Sequence, residues 1–231
     1  MSKSPQENII LSLETVTRSA SVAVLQGETV CSSFIGKETL SQSTELLINI
    51  RKVLADANLE LKDIRFLAAA VGPGSFTGLR IGLSTAKALC TALKIPAIGV
   101  STLEAVAKSA AQNGFNAVIF PAGRGEVYSQ AFFKEQNGEI RSINKISCHS
   151  IDKLVSEMSV HEDLHWLAPL ELQEAISGLI DKNKSTIHSM PENLAIAVGQ
   201  IANLRCRDRE SFNKGLTAIY GRGADIGISK K

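Results

Sequence analysis

Phe66-Leu67-Ala68-Ala69-Ala70-Val71-Gly72-Pro73-Gly74-Ser75-Phe76-Thr77-Gly78-Leu79-Arg80-Ile81-Gly82 sets the fold class of this chain. Phe66 to Val71 is apolar without a break, as in a strand buried on both faces. Gly72 and Gly74 permit a tight turn, Pro73 fixes φ between them, and Ser75 is placed to cap a helix predicted over Phe76 to Leu93. Two readings of the turn stay open. Amides at a helix N-terminus attract anions, so the loop resembles a phosphate cradle; it is also a sound structural turn. A Walker A loop is excluded, because Leu79-Arg80 follows Gly78 where Lys-Ser/Thr is required.

Within that helix Gly78, Gly82 and Ala86 recur every fourth residue and make a bare stripe, with Leu79, Leu83, Leu89 and Leu93 toward the other face. Glycine inside a helix costs about 1 kcal/mol relative to Ala. Such a stripe lets another backbone approach closely, from the same chain or from another subunit.

Outward from this unit, Ile9 to Glu14, Ala20 to Leu25 and Thr29 to Ile35 read as a β-meander joined by short turns. Thr44 to Asn58 reads as a helix whose apolar residues form two adjoining stripes, Leu47, Ile50, Leu54 and Ala57 beside Leu46 and Val53. So wide a face exceeds one core contact, and part of it is expected to meet another surface. Ala97 to Val100 is a further strand. Ser101-x-x-Glu104 reads as a capping box opening the next helix. The strand–loop–helix–strand order predicts an α/β class.

The second half repeats the plan. Ala117 to Phe120 and Glu126 to Lys134 read as strands, with Asn137-Gly138 as a hairpin turn. Ile151 to Met158 reads as a helix, Leu164 to Leu167 as a strand and Leu170 to Ile180 as a helix. Ser189-Met190-Pro191-Glu192 reads as a second capping box, opening a helix that aligns Leu194, Val198 and Ile201. Residues 1–104 are expected to form an N-terminal lobe and 105–231 a divergent C-terminal lobe with an irregular tail.

The 231 residues, 44% of them hydrophobic, suffice for one large domain or two small lobes. No apolar run reaches the ~18–20 residues of a membrane span, and Met1 to Asn8 carries no apolar signal core, so a cytoplasmic protein is expected. A net charge of +2 excludes a strongly basic nucleic-acid binder. From Arg205 onward seven basic residues face three acidic ones, which suits either a solvated tail or contact with RNA or an acidic surface. Cys31, Cys90, Cys148 and Cys206 are far apart and give no Cys-x-x-Cys metal or redox spacing.

Gly72 to Gly82 resembles the signature of the TsaB (YeaZ) family. Leu11 to Thr17 resembles that family's opening strand and phosphate-type turn, and Gly99 to Leu103 its next strand-to-helix join. Arg124-Gly125-Glu126-Val127-Tyr128 resembles a segment of its second lobe, and Ile219-Tyr220-Gly221-Arg222 its tail. The likeness is strong from Ile9 to Glu104 and weak from Arg141 to Arg209.

The resemblance implies a two-lobed, actin-like (ASKHA, RNase H-like) fold with mixed sheets flanked by helices. It implies a non-catalytic subunit that binds and stabilises the transferase TsaD, works with the ATPase TsaE, and helps form threonylcarbamoyladenosine in tRNAs reading codons that start with adenosine. tRNA would be met through the complex, no cofactor would be required by this chain, and ATP or ADP would sit at the complex interface. It implies a helix-bundle interface, also usable for a homodimer, built from Leu46, Leu47, Ile50, Leu54, Gly78, Leu79, Gly82, Leu83 and Ala86. A degenerate phosphate site would comprise Glu14, Thr15, Thr17, Gly72, Gly74 and Ser75. No catalytic residue and no metal ligand is expected.

Three positions depart from the family pattern. Glu14 stands where Asp is common, Pro121 where an Asp often stands, and Gln42-Ser43 where His-Ser is frequent. Loss of the second acid argues against independent ATP hydrolysis. No histidine precedes His149, whereas the transferase carries His-x-x-x-His in its first lobe.

Two rival readings remain. An actin-like ATPase or sugar kinase would use Glu14, Thr15, Thr17 and the Gly72 loop. A metallopeptidase would rest on His161-Glu162-Asp163-Leu164-His165, which matches His-Glu-x-x-His. That chemistry needs both histidines on one helical face, and Pro169 and the strand-like Leu164 to Leu167 argue against a helix there. His149 and His188 read as isolated.

Overall fold

The computed structural model describes residues 8–36, 42–206 and 215–219. Tyr220 to Arg222 of the tail motif, and the basic residues Arg207, Arg209, Lys214, Lys230 and Lys231, lie outside them, as do residues 1–7.

The described residues divide into two compact units, one of the residues up to Ala110 together with those from Pro191 to Ala218, the other of Ala111–Met190. In the first unit, β1 (Ile9–Glu14), β2 (Ser21–Gln26) and β3 (Thr29–Ile35) form the expected meander. After α1 (Gln42–Asp56) come β4 (Phe66–Ala70), α2 (Phe76–Leu93), β5 (Ala97–Val100) and α3 (Thr102–Ala110). The sheet order is β3-β2-β1-β4-β5, antiparallel through the meander and parallel from β1 to β5. Helices α1 and α2 pack on this sheet, and so does α6 (Leu194–Arg205). With helices covering both faces, β1 and β4 are buried on both sides, which is why they read as unbroken apolar runs.

The second unit contains β6 (Gly114–Gly123), β7 (Glu126–Lys134), β8 (Ile140–Ser142), β9 (Ser147–Ser150), α4 (Ile151–Met158), β10 (Leu164–Ala168), α5 (Leu170–Ser177) and β11 (Ser185–Ser189). Its sheet order, β11-β10-β6-β7-β8 with β9 also on β7, repeats the first sheet. Antiparallel strands come first, then two parallel ones. Its core gathers Trp166, Leu164, Ile119 and Val127 from the sheet with Leu154, Met158 and Ile176 from α4 and α5.

Two features differ from the sequence expectation. The last helix packs with the first unit, whereas an N-terminal lobe ending at residue 104 would leave it out. Helix α6 buries Leu194, Ala195, Ala197, Val198, Gly199, Ile201 and Ala202. A helix apolar around most of its circumference needs cover on both sides, and it finds β1, β2 and β4 on one and α3 on the other. Secondly, neither expected capping box forms. The Ser101 hydroxyl has no hydrogen-bond partner, and both Glu104 carboxylate oxygens are taken by Arg205. Ser189 ends β11, and α6 begins at Leu194, where the Ser21 hydroxyl of β2 accepts the Ala195 N–H at 3.1 Å.

Candidate functional site

The β1–β2 turn and the β4–α2 turn meet. Glu14 ends β1 fully buried. Its carboxylate accepts hydrogen bonds from the Val16 N–H, from the Thr17 N–H at 2.8 Å and from the Thr17 hydroxyl at 2.6 Å. Burial pushes its pKa above the ordinary carboxylate value, against the lowering effect of these donors and of Ser21. The Thr15 hydroxyl donates to the Gly78 carbonyl at 2.7 Å. The Val16 carbonyl accepts the Ser75 N–H at 3.0 Å, and the Gly72 carbonyl accepts the Thr102 N–H at 2.9 Å. Ser75 caps α2 as expected, its hydroxyl accepting the Gly78 N–H at 3.2 Å.

The structure thus links Glu14, Thr15 and Thr17 to Gly74, Ser75 and α2, but the groups are spent on each other. Gly74 sits at φ +147°, and a Cβ there would collide with the Val16 side chain. Val16 packs directly against Gly74, and the Glu14 carboxylate is turned into its own β1–β2 turn.

Helices α1 and α2 carry the nine residues expected to bind a partner, and only Leu47, 53% exposed, is substantially open to solvent. Leu46, Ile50, Leu54, Leu79, Leu83 and Ala86 are buried against their own sheet, as are Gly78 and Gly82. The bare stripe and Leu79 and Leu83 share one inward arc. A Cβ on Gly82 would collide with the Thr15 hydroxyl, so the glycine serves the close approach of α2 to β1. What faces solvent is different: Ile48 at 59%, Phe76 at 51% with the Arg80 guanidinium 3.9 Å above its ring, and exposed Arg51, Lys52 and Lys87. Ile48 follows Leu47 on the same side of α1, outside the Leu47–Ile50–Leu54 spacing that marks the apolar stripe in the sequence.

In the second unit, Arg124 and Gly125 form the β6–β7 connection with φ of 54° and 77°. Pro121, which stands where the family pattern often has an acid, lies on β6 opposite Val127. His161 lies in the turn before β10 and stacks on Phe115, ring centroids 4.2 Å apart, whereas His165 lies within β10. The helical zinc arrangement is therefore absent from this motif. His188 is not isolated: its Nε2 lies 3.1 Å from Nδ1 of His165.

Residues 40–175 match the family model described as TsaD: tRNA N6-adenosine threonylcarbamoyltransferase. The chain belongs to this family. Within it the chain falls with the TsaB (YeaZ) proteins. It is 32% identical over 135 residues to tRNA threonylcarbamoyladenosine biosynthesis protein TsaB of Bacillus subtilis, covering 58% of each chain. It is 37% identical over 134 residues to the Escherichia coli protein of that name, covering 56% of this chain and 57% of the other. The chain thus spans little more than half the length of the curated relatives it matches. The solved structure of YeaZ from Pseudomonas aeruginosa superposes with a TM-score of 0.78 at 21% identity, over 92% of this chain and 99% of that one. The actin-like α/β fold expected from the sequence is the one found. The segment that carries the family match includes α1 and α2 and the solvent-facing residues Leu47, Ile48 and Phe76.

Proposed function

We propose that this TsaB-type chain is a non-catalytic subunit in the formation of threonylcarbamoyladenosine on tRNA. It would bind and stabilise TsaD, act with TsaE, and meet tRNA only through the complex. One observation carries the reading: adjacent helices α1 and α2 leave Leu47, Ile48 and Phe76 exposed, beside Arg51 and Arg80, within the family-matched segment. Apolar residues rimmed by charge suit a protein interface. The same face would serve a homodimer when TsaD is absent.

The subunit would need no nucleotide of its own, any ATP or ADP being held at the complex interface. Among the described residues no helix is long and apolar enough to cross a membrane, in keeping with a proposed cytoplasmic location. The test is co-purification with TsaD and TsaE, followed by an assay of modified tRNA with and without this chain. Full modification without it, or no association with TsaD, overturns the proposal. Tight ATP binding by the isolated chain would favour the kinase reading.

A further inference from the structure

Two histidines that play no part in the proposed function meet across β10 and β11. These strands pair in parallel, with His165 opposite Thr186 and Leu167 opposite His188. Strand alternation sends Leu164, Trp166 and Ala168 into the core of the second unit and leaves His165 and His188 together on the other face. Both are half-buried, and so within reach of solvent. One diagonal step across the pair brings Nδ1 of His165 to 3.1 Å from Nε2 of His188.

Two neutral imidazoles at this distance share one proton as a hydrogen bond. With that proton displaced, the same two nitrogens are two ligands. A metal about 2.05 Å from each nitrogen would see them at an angle of roughly 98°, between the square-planar and tetrahedral values. The ring centroids are 5.1 Å apart and the planes tilted by 58°. That spacing lies between the ~5.4 Å of rings aimed nitrogen to nitrogen and the ~4.8 Å of rings aimed at one metal, so a small ring rotation suffices.

The surroundings favour the ligand form. Burial and the neighbouring His188 lower the His165 pKa. The charge of Asp163 acts on the same ring with the sign that attracts a cation.

We propose that His165 and His188 form a two-histidine site for a divalent transition metal of the copper, nickel and zinc group. Among the described residues no third His, Cys, Asp or Glu is grouped with them, so water or a small oxygen ligand would complete the coordination. Copper(II) is the strongest binder of that series at nitrogen sites and is the probe of choice.

The untagged full chain, stripped with chelator, is titrated with copper(II) near neutral pH by calorimetry, and the complex is examined by pulsed electron paramagnetic resonance. One copper per chain with two imidazole nitrogens is expected. His165→Gln and His188→Gln should each weaken binding roughly tenfold or more, by removing one of two protein ligands. His149→Gln and His161→Gln should leave it unchanged. Unaltered affinity in a folded His188→Gln variant, or a copper signal with fewer than two imidazoles, overturns the proposal. His188 lies on the edge strand, so its variant remains informative even where His165→Gln disturbs folding.

Discussion

Nη2 of Arg205 in α6 lies 2.6 Å from both carboxylate oxygens of Glu104 in α3, while Nη1 donates to the Gly99 carbonyl at 3.0 Å. The pair is about one-third exposed on each side. It ties the C-terminal end of the returning helix to the first unit, at the opposite end from the hydrogen bond between the Ala195 N–H and the Ser21 hydroxyl. Arg205→Ala is expected to cost about 1–2 kcal/mol, more than an exposed pair and less than a buried one. Arg205→Lys should recover part of this, since a point charge cannot reproduce the fork. Urea denaturation of the three proteins checks both.

Gly82 and Thr15 make a second test. Adding a methyl at residue 82 forces it onto the Thr15 hydroxyl, so Gly82→Ala should destabilise by about 1–2 kcal/mol even after the gain in helix propensity. Thr15→Ala alone loses the bond to the Gly78 carbonyl. Together the two changes should cost less than their sum by about 1 kcal/mol, because the second removes the clash made by the first. A strictly additive double-mutant cycle would contradict this packing.

Leu47 and Leu83 separate surface from core. Leu47→Glu should change stability by no more than about 0.5 kcal/mol yet abolish co-purification with TsaD, if the α1–α2 face is the interface. Leu83→Glu buries a charge in an apolar layer and should unfold the first unit, at a cost of about 3–5 kcal/mol. Thermal melts read the stability and pull-down reads the binding.

Glu14 gives a pH signature. Its carboxyl pKa is raised on folding by burial, from an ordinary 4.5. Between the unfolded and folded values the native state holds more protons than the unfolded one, so this group's contribution to stability falls as pH rises through that window. It is greatest below pH 4.5, where Glu14 is protonated in both states. The stability difference between wild type and Glu14→Gln should therefore shift against wild type as pH rises above 4.5. Denaturation curves at several pH values measure it; a difference that is flat, or that moves toward wild type, contradicts the burial effect.

Much of the fold was legible in the residues. Ile9 to Glu14, Phe66 to Val71 and Ala97 to Val100 announced strands by apolar runs, and α2 was bounded by Ser75 and the approach to Pro96. Local terms dominate there: turn chemistry, capping and the apolar run. The short strands β8, β9 and β11 escaped because they carry no apolar pattern, being held by pairing to neighbours. The site fared less well. Amphipathic spacing located an apolar helix with surplus face, but could not say that Leu46 turns inward and Ile48 outward.

The sequence by itself determined the helices and the apolar strands, the doubled α/β plan and the family, since each follows from short-range patterns. Tertiary structure alone decided what the patterns are for. It gave the bare stripe of α2 to Thr15, closed the Gly74 turn with Val16, diverted Glu104 from a cap to Arg205, and set His165 against His188. The partners in the hydrogen-bonded pairs stand 63, 101 and 23 residues apart, and pairings at such separations are fixed by how layers pack. Neighbouring residues along the chain carry no record of them.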